Sequence, residues 1–188
     1  MATRPDRLWF TDDDEANALL ARDPLALLIG FALDQQVTVQ KAFAGPRELE
    51  RRVGRLDAAE LAGMDTAALE RVFAERPALH RFPGVMARRV QELCRAIVSE
   101  YGGDAAQVWE GAADGDELRR RIAALPGFGE MKVKSLGAVL AKRFGVESAA
   151  ALVPPHPTLG DVDSHQALLD YQAAKRAHKA SLRAAAAR

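Results

Sequence analysis

Apolar and polar residues recur at helical spacing along most of this chain. Leu25, Leu27, Leu28, Ile29, Phe31, Ala32 and Leu33 leave a helix almost no polar face, which predicts a central buried helix. Asp23-Pro24 starts it, with proline at the first helical position, and Asp34-Gln35-Gln36 ends it. Ahead of it, Thr11-Asp12-Asp13-Asp14-Glu15 caps and charges a shorter helix. Behind it, residues 38–44 predict a helix, Gly45-Pro46 a break, and residues 47–53 another helix. Residues 57–63 and 65–75 read as two short helical units capped by Asp57 and Asp65. Residues 77–83 read as a turn, and Gly84 opens a long amphipathic helix that Gly102-Gly103 stops. Residues 104–111 read as helical around Trp109. Few stretches alternate at period two over strand length, so the predicted fold is all-α, a single domain over residues 1–188.

The most informative stretch is Leu125-Pro126-Gly127-Phe128-Gly129. Residues 116–124 read as one short helix before it, and residues 130–144 as another after it, with Val133, Leu136, Val139 and Leu140 on one face. Proline cannot continue the first helix, and the glycines permit positive φ and close approach of another backbone. Such a helix-hairpin-helix presents unpartnered N–H groups at the positive end of a helix dipole, which suits a phosphate. The plain alternative is a tight helical turn. Residues 146–188 read as a proline-rich connection and a C-terminal helix capped by Asp161 or Asp163.

Composition narrows the chemistry. The chain has 26 basic and 26 acidic residues and a net charge of +0, so any nucleic-acid footprint must be local. One cysteine, Cys94, excludes a disulfide framework and an all-cysteine metal site. Its apolar neighbours Val90, Leu93, Ile97 and Val98 read it as a small buried hydrophobe. No apolar run approaches membrane-span length, and no signal-peptide pattern follows Met1-Ala2-Thr3-Arg4-Pro5-Asp6, so a cytoplasmic protein is expected. His80, His156, His165 and His178 lack metal-ligand spacing, and no metal site is expected.

Three features in order resemble the helix-hairpin-helix base-excision repair glycosylases, the HhH-GPD superfamily, and within it the endonuclease III-like proteins. They are the buried helix ending at Gln35-Gln36, the Phe82-Pro83-Gly84 entry into a basic helix with Arg88 and Arg89, and the hairpin. The resemblance covers residues 23–145, with the hairpin at 116–144 and a weaker echo at Asp161-Val162-Asp163-Ser164-His165. It implies a two-lobed helical fold holding duplex DNA that carries a damaged or mispaired base. Gly127, Phe128 and Gly129 would grip a phosphate, and Gln35 or Gln36 would fill the gap left by an extruded base. Asp163, aligned with the family's catalytic acid, would assist base removal, with Asp161 as the alternative; the plain reading of either is a helix cap. Asp34 reads as a local cap. Lys132 and Lys134 lie near enough to the hairpin to meet phosphate, and the basic tail from Lys175 to Arg188 could track the backbone.

Departures from the family pattern shape the expected chemistry. The subgroup that also nicks DNA carries lysine where this chain has Met131. Lys132 is one residue further on, a helical rotation of ~100°, so it is not expected to replace that lysine. A monofunctional glycosylase is therefore expected, with Lys132 catalytic only if the enzyme is a lyase. The iron–sulfur branch needs four cysteines, so no cluster is expected, although a monovalent cation at the hairpin is allowed. A monomer is expected. The alternatives are a non-catalytic binder of distorted DNA and a protein-interaction scaffold.

Overall fold

A computed structural model describes residues 4–187; Met1–Thr3 of the amino-terminal stretch and Arg188 of the basic tail lie outside it. Every regular element among the described residues is helical, and no strand forms. The order is α1 (Asp14–Arg22), α2 (Pro24–Leu33), α3 (Val39–Val53), α4 (Ala58–Gly63), α5 (Thr66–Ala74), α6 (Pro83–Tyr101), α7 (Gln107–Glu110), α8 (Gly115–Ala123), α9 (Glu130–Phe144) and α10 (His165–Ala186). Short 3-10 turns stand at Glu147–Leu152 and Leu159–Asp161. No single helix among the described residues is long and apolar enough to cross a membrane.

The centre of the core is α2, buried from Leu25 through Leu33 as its uninterrupted apolar sequence requires. Asp23 caps its start, accepting from Leu25 and Ala26 N–H. Helix α3 packs along it, and Phe43 meets Phe10 and Phe31 edge to face, each with ring centroids 5.0 Å apart. Helices α4 and α5 lie on α6, tied by buried Gln91, whose amide donates to the Leu61 and Met64 carbonyls and accepts from Thr66. On the far side α9 receives both 3-10 turns through close glycine contacts. A Cβ at Gly137 would stand 2.5 Å from Leu152 Cβ, and one at Gly160 would stand 2.5 Å from the Ala138 carbonyl oxygen.

Three local expectations are corrected. Gly45-Pro46 does not break the chain, because α3 runs through both. Proline forfeits one backbone hydrogen bond there. Tight packing holds the helix together: a Cβ at Gly45 would lie 2.5 Å from Leu33 Cδ1, so this glycine permits contact. Residues 104–111 yield only the single turn α7. The last helix is capped by Ser164, whose hydroxyl accepts from Ala167 N–H at 3.1 Å, and not by Asp161 or Asp163. Asp161 instead closes a capping box with Thr158 in the preceding turn.

The glycine contacts generate a stability prediction. Gly160→Ala sets a methyl against the backbone of α9, which cannot rotate away, and should destabilise by about 1–3 kcal/mol. Gly63→Ala, in α4 with open space around it, should be neutral or gain up to about 1 kcal/mol. Chemical denaturation of the two variants beside the wild type checks the contrast.

Candidate functional site at the end of α2

A helix leaves its last four carbonyls without intrahelical donors, and those of α2 end inside the protein. Each finds a partner. The Asp34 N–H donates to Gly30 O and Phe31 O. Lys132 Nζ, from α9, donates to Ala32 O at 3.3 Å. Leu33 O accepts from Gln35 N–H at 2.7 Å and from His80 Nε2 at 3.1 Å. The end of α2 thus gathers the segment before α6 and the second hairpin helix onto one turn.

That turn is held in an unusual shape. The Gln35-to-Leu33 bond closes a three-residue inverse γ-turn centred on Asp34, whose φ and ψ are −72° and 71°. Gln36 follows at φ 57°, the left-handed region that a non-glycine residue enters at a cost. His80 clamps the turn from below. Its Nδ1 accepts from Phe82 N–H at 3.0 Å, so Nε2 carries the proton and donates to Leu33 O and, at 2.9 Å, to Gln35 O. Burial holds the imidazole below its usual pKa, with Lys41 and Lys132 acting in the same direction. Arg89 Nη1 donates to Gln35 Oε1 at 3.0 Å. Gln35 is therefore engaged, while Gln36 is exposed and makes no side-chain hydrogen bond among the described residues.

The hairpin lies beside this turn. Gly127 takes φ 81°, which its glycine permits, and the Arg89 stem covers it. Gly129 has an ordinary φ of −83° and nothing within 4 Å of where its Cβ would be. The N–H groups of Gly129, Glu130 and Met131 donate to no protein acceptor among the described residues. They form an open donor set at the start of α9. Phe128 differs from expectation: its side chain is 4% exposed and its N–H donates to Leu125 O, so it serves the core. Met131, 73% exposed, faces outward at the same end. Lys134 lies 3.6 Å from Glu130, which also binds Arg119, so its charge is partly answered within the helix.

Lys132 packs against the end of α2. Its ammonium lies 5.6 Å from the Phe128 ring centroid and on the Ala32 carbonyl. Burial pushes its pKa down to about 8; Asp34 opposes that shift and Arg89 adds to it. Asp34 is raised by burial against the pull of Lys175 and Lys132. Lys175 comes from α10, which also sets Tyr171 near Asp34 and pairs Gln172 with Gln40 through two amide hydrogen bonds of 3.0 and 2.6 Å. Asp34, His80, Arg89, Tyr171 and Lys175 carry no motif spacing in common. Only folding brings them to one place.

The two C-terminal acids differ in how they are engaged. Burial raises Asp161, but Lys142, at 2.5 Å, and the Thr158 N–H outweigh it, so the carboxylate sits below its usual pKa and is engaged. Asp163 is exposed and makes no hydrogen bond among the described residues. Cys94 is buried, its thiol pushed up to about 12, far from a reactive thiolate. No group of three His, Cys, Asp or Glu side chains converges among the described residues. No family model and no curated protein matches the chain.

The His80 clamp predicts a pH dependence. The folded imidazole titrates below 6.5 and the unfolded one near it, so between those values the unfolded chain binds more protons. Stability from this group is complete above 6.5 and is lost as pH falls toward the folded value. Thermal unfolding across that window should show a fall that His80→Asn removes.

Proposed function

We propose that this protein is a DNA base-excision glycosylase, hydrolysing the N-glycosidic bond of a damaged or mispaired base in duplex DNA. We place its fold with the two-lobed helix-hairpin-helix glycosylases. The observation that carries the reading is the meeting of hairpin and glutamine turn, joined by Lys132 on Ala32 across 100 residues of chain and by Arg89 between them. The free N–H groups at the start of α9 suit a backbone phosphate. Gln36, exposed and unbonded on a rigid turn, suits the space of a base taken out of the stack. From Tyr171 to Ala187 the chain has four basic residues and no acid, and α10 is exposed from Ala173 onward, which extends the cationic surface outward from the end of α2.

A second reading is favoured by one observation. A Schiff-base nucleophile must be unprotonated, and an amine with pKa about 8 keeps roughly a tenth of its population in that form at pH 7, far more than an ordinary lysine. Lys132 would then attack the sugar carbon, and strand cleavage could follow base release. A non-catalytic binder of distorted DNA would share the interface and lack either reaction.

Two predictions follow, the first testing the shared interface and the second separating the hydrolytic reading from the Schiff-base one. Gly129→Val should fold, since nothing stands near its Cβ, yet bind duplex DNA about tenfold more weakly regardless of sequence, the scale of one lost hydrogen bond to a charged group. Unchanged affinity in a fluorescence titration removes the hairpin from the interface. Borohydride trapping during reaction should give no covalent adduct and leave an intact abasic strand if the enzyme is hydrolytic. An adduct that increases as pH rises through about 8 and disappears in Lys132→Ala makes Lys132 the nucleophile.

A further inference from the structure

We infer that the outer half of α10 is a nucleic-acid-binding arm, whose Arg176, Lys179 and Arg183 lie along the phosphates of the duplex that meets the α2 turn and the hairpin. The inference rests on that DNA interface and does not require base removal.

The seat of the arm is well defined. Helix α10 runs for 22 residues from His165 to Ala186, and Leu168 is its one buried residue. Gln172 exchanges two amide hydrogen bonds, of 3.0 and 2.6 Å, with Gln40 in the first turn of α3, the helix that follows Gln36. From Ala173 onward every described residue is exposed, so about 20 Å of helix stands clear of the body.

The charges of the arm fall on one side. At about 100° per residue, Arg176, Lys179 and Arg183 each point within about 40° of the Gln172 direction, as does Leu168. The stripe that seats α10 therefore continues as a row of cations about 10 Å long, with no protein beneath it. The reverse side carries Ala174, Ala177, Ser181 and Ala185.

A structural role does not account for this row. Like charges three and four residues apart repel on a helix surface, and no acid follows Asp170 in the chain to offset them. None of the three joins an ion pair among the described residues. The helix dipole favours a cation in the last turn, which covers Arg183 alone. The alanine side lacks the bulky apolar side chains that hold a helix in a membrane surface. A rigid, linear row of unpaired cations complements a rigid, linear row of anions. A duplex strand offers one phosphate about every 3.4 Å along its axis, so the row spans about three of them.

The test is fluorescence anisotropy on an undamaged and an abasic duplex over a series of salt concentrations. The triple variant Arg176→Gln, Lys179→Gln, Arg183→Gln should keep its helix content, because the sites are exposed and glutamine is a good helix former. It should bind both duplexes at least ~10-fold more weakly, since phosphate contacts carry no sequence information. Its plot of log affinity against log salt should be shallower by about 2–3, near one for each phosphate released. Adding Ala174→Lys, Ala177→Lys and Ser181→Lys to the triple variant restores the net charge on the wrong side and should not restore affinity. Unchanged affinity and slope in the triple variant overturn the arm, and Gly129→Val weakening in the same assay then leaves the DNA interface standing. Full recovery by the relocated lysines also overturns it, because net charge alone then suffices. So does loss of helix content in the triple variant, which makes the row structural. A wild type that binds neither duplex defeats the DNA interface, and the arm with it.

Discussion

The end of α2 is the constraint on which the rest of the site depends. An apolar helix driven wholly into the core must finish there, and its last carbonyls cannot be left dry. The chain answers with donors from three places: the turn's own backbone, His80 and Lys132. Leaving one such carbonyl unpaired costs about 1–3 kcal/mol. The requirement is strong enough to explain why the hairpin helix lies against this turn, and why an amine is brought into a half-buried position to do so. The gathering of side chains around this turn follows from satisfying the backbone of a core helix.

That solution leaves stresses that a purely structural turn would avoid. Gln36 adopts a left-handed backbone, Asp34 places a carboxylate at a helix C-terminus, and Lys132 holds an ammonium where burial disfavours it. Each lowers stability, and each persists because neighbouring contacts over-determine the turn. Local rules broken together, in one solvent-reachable place, are the pattern expected where rigidity is used to hold a reactive geometry. Charge follows the same logic. The chain is neutral overall, yet Lys132 and Lys175 act on Asp34 and Arg89 lies near Lys132, so cationic groups gather at the end of α2 and along α10.

The sequence by itself determined the all-helical class, the burial of α2, the bounds of α6 and α9 to within a residue, and the hairpin turn. These rest on local physics: apolar spacing, proline's missing donor, and glycine at φ 81°. It also singled out Gln35, Gln36 and Lys132, which the fold brings together at the end of α2. Where a local rule met a tertiary contact, the contact prevailed. Gly45-Pro46 reads as a break, but packing against Leu33 carries α3 through it, and Phe128 reads as a phosphate contact but its ring is needed in the core.

Only the tertiary structure decided which charges meet. Asp34 reads locally as a cap, His80 as an isolated histidine, and Lys175 as one cation of a solvated tail. No spacing links positions 34, 80, 89, 132 and 175, because their meeting depends on how α2, α6, α9 and α10 cross. The direction of Lys132 depended on that crossing too: a ~100° offset on one helix says nothing until the neighbouring helix end, with its unsatisfied Ala32 carbonyl, is in place. Helical periodicity specifies which face of each segment is buried. Long-range electrostatics and the partners of buried carbonyls are set by packing.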